Sequence, residues 1–152
     1  MSPFPDPYET LVVPGEYVVG FLRDEKNCRY YGRTSWRCGW QILDEGPNSG
    51  LVVYNWFNIP QPDAPLRPGH ALWQAYVVAT GLRPPKDLAV HRPSWFLGDC
   101  QFRAKVRTVD KDSNGVKRPD AASYSRVAFL IERLEGFPPC LQRRKAELTC
   151  LH

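Results

Sequence analysis

Hydrophobic and polar residues alternate along several stretches of the chain, and this period of two is typical of strands with one buried face. The clearest alternation lies within residues 100–109, where three apolar residues occupy one face and three cations the other: Phe102, Ala104 and Val106 against Arg103, Lys105 and Arg107. Similar patterns, rich in β-branched and aromatic residues, predict four further strands near residues 17–22, 34–43, 51–59 and 123–130. The last pattern leaves two interpretations open, because residues 128–134 also fit the start of a short helix.

One segment, residues 70–81, has the spacing of a helix. Its apolar positions recur every three or four residues, at Leu72, Ala75, Tyr76 and Ala79. Gly81 suits the C-terminal cap. The element order is then β-β-β-α-β-β. In one small domain this order predicts an all-β fold with one helix, the five-stranded OB-fold barrel, in which the helix between strands 3 and 4 closes one end. The alternative is an open α+β sheet with the helix on one face.

The length and composition favour one domain. A chain of 152 residues can bury a sizeable core. We predict an extended proline-rich arm over residues 1–14, an OB-fold domain over residues 15–135 and a C-terminal tail without a pattern over residues 136–152. No apolar run approaches the roughly 20 residues that span a bilayer, and no signal-peptide pattern opens the chain, so we expect a cytoplasmic protein without membrane partners. The five cysteines form no CxxC pair and the three histidines are dispersed, which predicts no metal site and no cofactor.

Positive charge is concentrated toward the C-terminus. Residues 1–100 carry nine Lys/Arg and ten Asp/Glu, whereas residues 101–152 carry eleven and six, so the local balance changes from −1 to +5. Within the second part, the cations at positions 103, 105 and 107 lie about 7 Å apart if they share one strand face. The phosphates of a nucleic acid repeat at a comparable distance. The strand is therefore a candidate track for a polyanion, whereas an ordinary exposed face mixes charges of both signs.

The predicted barrel offers a place for such a ligand. OB barrels bind single strands across strands 2 and 3, between the loops that join strands 1–2 and 4–5, with cations for the phosphates and flat side chains on which bases stack. Residues 24–33 are predicted to be the polar loop between strands 1 and 2. The candidate nucleic-acid-binding residues are Tyr30, Tyr31, Arg33, Arg37, Tyr54, Trp56, Arg103, Lys105, Arg107, Lys117 and Arg118. Trp36 and Trp40 share a face with Cys38 and are predicted to be core residues instead.

Other chemistries find little support in the sequence. His70 and His91 have no neighbouring nucleophile or carboxylate in a catalytic arrangement, and no glycine-rich phosphate loop occurs. The run from Asp110 to Gly115 matches the first half of a calcium loop, but the twelfth position, which requires Glu, falls on Ala121. We therefore predict a solvated turn there, no catalytic residues and no enzyme. A nuclease built from dispersed carboxylates is the remaining enzymatic alternative.

Several short stretches resemble a known family. They are Gly15-Glu16-Tyr17, Gly32 before a strand ending Gln41-Ile42-Leu43-Asp44-Glu45-Gly46, Gly50 before an aromatic strand ending Phe57-Asn58-Ile59, and Phe96-Leu97-Gly98 ahead of Phe102-Arg103-Ala104-Lys105-Val106. Over residues 15–131 the chain resembles the small single-stranded-DNA-binding proteins of phages and of integrative or conjugative elements. The resemblance implies an OB fold, binding without sequence specificity, and a role in replication or recombination of mobile DNA. Many members of that family end in an acidic tail that recruits partner enzymes, whereas the tail of this chain is basic around Arg143.

The predicted function is that of a non-enzymatic protein that protects or presents single-stranded DNA. RNA and a second copy of the chain stay open as further partners. The rival interpretation is a protein-interaction module of a mobile element, which binds a host or assembly partner through its aromatic surface.

Overall fold

Five strands build the body of the protein. The computed structural model describes residues 10–29, 33–59, 61, 63–110, 115–117 and 123–142. The strands are β1 (Gly15–Arg29), β2 (Arg33–Ile42), β3 (Val52–Ile59), β4 (Gln101–Val109) and β5 (Tyr124–Glu135). They pair in the order β1-β2-β3-β5-β4, and β4 also pairs with β1, so the sheet closes into a ring. Every pairing is antiparallel except that of β3 with β5, which is parallel.

Three helices lie between β3 and β4. They are α1 (Ala71–Thr80), a 3-10 helix (Leu88–Val90) and α2 (Ser94–Leu97). His70 caps the start of α1, because its Nδ1 accepts a hydrogen bond from the backbone N–H of Leu72 at 3.0 Å. Gly81 ends α1 with a left-handed φ of 70°. Among the residues described, no helix combines the length and the apolar character that crossing a bilayer requires.

The predicted fold class is confirmed at the level of a mostly β protein with five strands, but the described part of the chain has three helices, and not one, between the third and fourth strands. The sheet is closed, unlike the open-sheet alternative. Two predicted boundaries are wrong. Residues 24–29 belong to β1 and not to a loop, because they pair with residues 33–38 of β2 in one hairpin ladder. β5 continues to Glu135, so residues 128–134 are strand and not helix. In both places the pairing with a neighbouring strand outweighs the local composition.

The inner faces of the strands form one hydrophobic core. Trp36 and Trp40 both lie in it, as predicted, and Trp40 is 0% exposed. The ring of Trp40 makes edge-to-face contacts with Phe21 and Phe102, at centroid distances of 5.1 and 5.7 Å. Its indole N–H donates to the side-chain oxygen of Asn55 at 2.7 Å, which satisfies both buried polar groups. This aromatic centre therefore connects β1, β2, β3 and β4.

β5 coils strongly around β4. Their register shifts three times, and at each shift β5 has one additional residue: Leu134, Ile131 and Ala128. Such bulges increase the local twist of a strand pair. They help β5 to turn from β4 toward β3 and so to close the ring. The bulge at Ala128 also shifts the alternation of inward-facing and outward-facing residues in β5 by one position. As a result, Phe129 lies on the outer face opposite Lys105.

A buried carboxylate attaches α2 to β1. The side chain of Asp24 is 3% exposed and accepts hydrogen bonds from Nη2 of Arg92 at 2.7 Å and from the backbone N–H of Ser94 at 2.7 Å. The second bond caps the first turn of α2, which has no cap from its own neighbouring residue Pro93. The guanidinium of Arg92 also lies over the ring of Trp36, at 5.5 Å from its centroid.

The described part of the predicted arm packs against the start of β5. The carbonyl of Thr10 accepts a hydrogen bond from the backbone N–H of Ser125 at 2.8 Å. The backbone N–H of Val12 donates to Oγ of Ser125 at 2.8 Å, and this hydroxyl donates in turn to the carbonyl of Val12 at 3.2 Å. Thr10, Val12 and Ser125 are all buried.

Two buried thiols, those of Cys38 and Cys100, make the stability of the protein depend on pH in the alkaline range. Burial raises the pKa of Cys38 well above its ordinary value, and it raises the pKa of Cys100 from 9.0 to about 11. Each thiol therefore contributes stability that is complete below pH 9.0 and is lost as the pH rises toward the folded pKa. Between about pH 8.5 and about pH 10.5, we expect the wild-type protein to lose about 2 kcal/mol more of its free energy of unfolding than Cys100→Ala loses.

Urea unfolding at the two pH values measures this difference. Every other ionisable group is present in both proteins, so its contribution cancels in the comparison. Equal losses in the wild type and the variant would contradict the raised pKa of Cys100.

Candidate nucleic-acid interface

The outer face of β1, β2 and β3 carries a polar cluster centred on Glu25. This carboxylate forms ion pairs with Arg23, at 3.0 Å between Oε1 and Nη1, and with Arg37. Nη2 of Arg23 also donates to the hydroxyl of Tyr54 at 3.3 Å. The guanidinium carbon of Arg37 lies 5.6 Å from the centroid of the Tyr54 ring. Two cations share one carboxylate, so the cluster keeps one net positive charge.

The two aromatic candidates on β3 differ in exposure. Tyr54 is 1% exposed, so its ring offers no open face to a base in this arrangement. Trp56 is half-buried and lies on the same outer face, opposite Arg37. Its ring contacts that of Tyr124 in a T-shaped arrangement, with centroids 6.3 Å apart. Trp56 is therefore the β3 ring that can stack with a ligand, and Tyr124 supports it from β5.

Two of the three cations of β4 lie beside carboxylates of the neighbouring strands. Arg103 forms an ion pair with Glu132 of β5, at 2.5 Å between Nη2 and Oε1. Lys105 lies opposite Glu16 of β1. The expectation of purely positive charge therefore holds along β4 itself but not for the sheet around it, because antiparallel pairing brings distant carboxylates into register. The Arg103–Glu132 pair is exposed and worth about 0–1 kcal/mol, so a phosphate can compete for Arg103.

Arg107, at the other end of β4, has a different environment. It lies directly opposite Arg126 of β5, and both side chains are exposed. Within the described part of the chain, neither guanidinium pairs with a carboxylate. The guanidinium carbon of Arg107 lies 5.4 Å from the ring centroid of Phe129, which is 46% exposed. Like charges in direct opposition destabilise a strand pair, and an anionic ligand between them removes that repulsion.

The remaining candidates lie at the ends of the strands. Lys117 is exposed in the connection between β4 and β5. Arg33 begins β2, and its side chain lies outside the described residues, as do Tyr30, Tyr31 and Arg118.

Sequence reasoning missed four contributors to this surface, namely Arg23, Tyr124, Arg126 and Phe129. A signal existed for two of them, because Tyr124 and Arg126 alternate with Ser125 and Val127 in the predicted fifth strand. No such signal exists for Phe129, because its orientation depends on the bulge at Ala128.

The two histidines that the structure describes, His70 and His91, have structural partners. Besides capping α1, His70 places Nε2 at 2.7 Å from the carbonyl oxygen of Asn58. His91 stacks on Trp95, with ring centroids 4.0 Å apart, and lies 3.1 Å from the carboxylate of Asp87. Within the described ranges, no three His, Cys, Asp or Glu side chains lie close enough together to hold a metal ion.

Comparisons with protein-family models, with curated proteins and with solved structures gave no match to this chain. The resemblance over residues 15–131 therefore stays a prediction, and any function has to be inferred from the fold and from the outer surface of the sheet.

Proposed function

We propose that the chain is an OB-fold protein that binds single-stranded DNA without sequence specificity and serves replication or recombination of a phage or mobile element. Its strand order supports this proposal. An OB barrel is a five-stranded Greek-key barrel that binds oligonucleotides across strands 2 and 3. The order β1-β2-β3-β5-β4, the closure of β4 onto β1 and the helix between β3 and β4 all agree with that architecture.

A continuous row of cationic and aromatic side chains carries the functional proposal. We call it the arginine–aromatic band, and it consists of Arg37, Trp56, Tyr124, Arg126, Arg107 and Phe129. Each member is joined to the next by a cross-strand pair, a ring contact or a position on the same strand face. The band thus crosses β2, β3, β5 and β4, and Tyr124 is its one buried member. At about 4.8 Å between neighbouring strands, it spans roughly 14 Å.

The chemistry of the band matches a single strand. Arginine side chains can hydrogen-bond to phosphates, and indole or phenyl rings can stack on bases of any sequence. The exposed guanidinium groups of Arg107 and Arg126 leave this end of the band positive. Glu25 offsets part of the charge at the other end, where Arg37 is held beside Trp56. Binding is therefore expected to involve few phosphates, so the affinity should fall only moderately as salt rises.

Titration of intrinsic tryptophan fluorescence with oligo-dT of about 15 nucleotides tests the proposal. We expect quenching, with an affinity that falls as salt rises at a log–log slope of about −0.7 per phosphate neutralised. Trp56→Phe should lose most of the quenching while it keeps most of the affinity, because a phenyl ring still stacks. Trp73→Phe is the matched control, since Trp73 is also half-buried but lies in α1, outside the band.

Absence of binding at low salt in both fluorescence and anisotropy would refute the proposal. Quenching that persists in Trp56→Phe and disappears in Trp73→Phe would place the ligand elsewhere on the protein.

A further inference from the structure

Two arginines on the outer face of the sheet share one carboxylate. Oε1 of Glu25 lies 3.0 Å from Nη1 of Arg23, and Oε2 pairs with Nη2 of Arg37, so each carboxylate oxygen has its own guanidinium. The side chain of Glu25 is 37% exposed, against 27% for Arg23 and 24% for Arg37. The carboxylate is thus the most exposed of the three groups, and a ligand in solution can reach the place that it occupies.

Tyr54 supports both guanidinium groups independently of Glu25. Its hydroxyl accepts a hydrogen bond from Nη2 of Arg23 at 3.3 Å, and its ring centroid lies 5.6 Å from the guanidinium carbon of Arg37. Gly39 leaves room for this packing, because a Cβ there would lie 3.4 Å from Cε1 of Tyr54 and 3.6 Å from Cγ of Arg23. The two cations therefore keep a support when the carboxylate leaves. We call Arg23, Arg37 and Tyr54 together the Arg23–Arg37 site.

The same arrangement suits a phosphate. A carboxylate and a phosphodiester each present two oxygens that share one negative charge, and guanidinium groups bind both with parallel N–H···O bonds. Ion pairs between partly exposed groups are weak, so a ligand can replace Glu25 while its side chain turns into water. Arg37 lies directly opposite Trp56 in the ladder of β2 and β3. A strand that stacks a base on Trp56 therefore brings its adjacent phosphate to this site.

We infer that the Arg23–Arg37 site binds one phosphate of a bound single strand, and that Glu25 occupies this site in the free protein. The inference rests on the proposed function. Glu25 is then an internal competitor of the ligand, because the phosphate has to displace it. Tyr54 is a positioning residue, which holds the two cations in place instead of stacking with a base.

Glu25→Gln tests the inference, because it keeps the size of the side chain and removes its charge. We expect this variant to bind oligo-dT about 3- to 10-fold more tightly than the wild type at low salt, with a salt slope steeper by up to about 0.7, since the cluster gains one uncompensated cation. A purely structural role of Glu25 predicts the opposite, namely a lower urea midpoint without tighter binding. Glu45→Gln is the matched control, because it changes the net charge equally in the exposed turn after β2, and it should alter the affinity less than about 2-fold.

Arg23→Ala tests the same site from the other side. It leaves Glu25 paired with Arg37 alone, so the cluster loses its net positive charge. We expect oligo-dT binding about 3- to 10-fold weaker than that of the wild type and a salt slope shallower by about 0.7. Lys26→Ala is its control, because Lys26 is an exposed cation on the opposite face of the same strand.

The outcomes separate the two proposals. Wild-type protein that does not bind oligo-dT at low salt overturns the proposed function and this site with it. Wild-type protein that binds, together with Glu25→Gln that binds no more tightly than Glu45→Gln, overturns the Arg23–Arg37 site alone. If Glu25→Gln does not fold, as judged by its urea midpoint, Arg23→Ala decides. A loss of affinity no larger than that of Lys26→Ala then overturns the site.

Discussion

Replacement of both Arg107 and Arg126 by Ala is expected to weaken oligo-dT binding by about 10- to 100-fold at low salt and to make the salt slope shallower by about 1.4. The two guanidinium groups face each other across β4 and β5 and have no carboxylate partner in the described ranges. Each can therefore neutralise one phosphate without first breaking an ion pair. Anisotropy of a labelled oligonucleotide, measured between about 50 and about 200 mM salt, gives both the affinity and the slope.

The double variant should not lose stability. Like charges in direct opposition cost a strand pair about 0.2–1 kcal/mol, so their removal leaves the free energy of unfolding unchanged or slightly higher. Loss of binding therefore cannot be attributed to unfolding. Arg83→Ala with Lys86→Ala is the matched control, since it removes two exposed cations outside the band and changes the net charge equally. If the control flattens the slope as much, the effect is one of overall charge, and Arg107 and Arg126 are not the phosphate site.

The core of this fold could be predicted because its signal is local. Trp36 and Trp40 share one side of a strand, and the apolar residues of β4 do the same, so period-two alternation alone indicates which side chains are buried. Helix α1 could be predicted equally well, because its buried positions have helical spacing and Gly81 provides its C-terminal cap. In each case the neighbours that decide the structure lie within a few residues along the chain.

The candidate site could be predicted only in part. Which charged side chains lie next to each other depends on the pairing of strands that are distant in the sequence. Residues 100–109 contain no acid, yet the register places Glu132 beside Arg103. The register between β4 and β5 cannot be derived from the hydrophobic alternation of either strand, since three bulges in β5 shift it. Residues 24–29 pose the same problem. Their polar composition fits a loop, but pairing with β2 places Glu25 between Arg23 and Arg37 on the outer face.

Trp40→Ala is expected to lower the free energy of unfolding by about 4 kcal/mol, the largest loss of stability that we expect from a single substitution in this chain. The side chain is 0% exposed and contacts both Phe21 and Phe102, so its removal leaves a cavity among aromatic rings. It also removes the indole N–H that donates to Asn55, and a buried acceptor without a donor costs about 1–3 kcal/mol. Urea unfolding followed by far-ultraviolet circular dichroism measures the loss independently of tryptophan fluorescence.

Trp40→Phe separates the two contributions, because it keeps an aromatic ring in the core but leaves the oxygen of Asn55 without its donor. We expect it to cost about half as much as Trp40→Ala. Trp73→Ala is the control for the loss of a tryptophan as such, and it should cost about 1 kcal/mol because Trp73 is only half-buried. A domain of this size has about 5–15 kcal/mol of stability in total, so Trp40→Ala should still fold but unfold at clearly lower urea. Equal midpoints for Trp40→Ala and Trp73→Ala would mean that the aromatic centre does not hold the strands together.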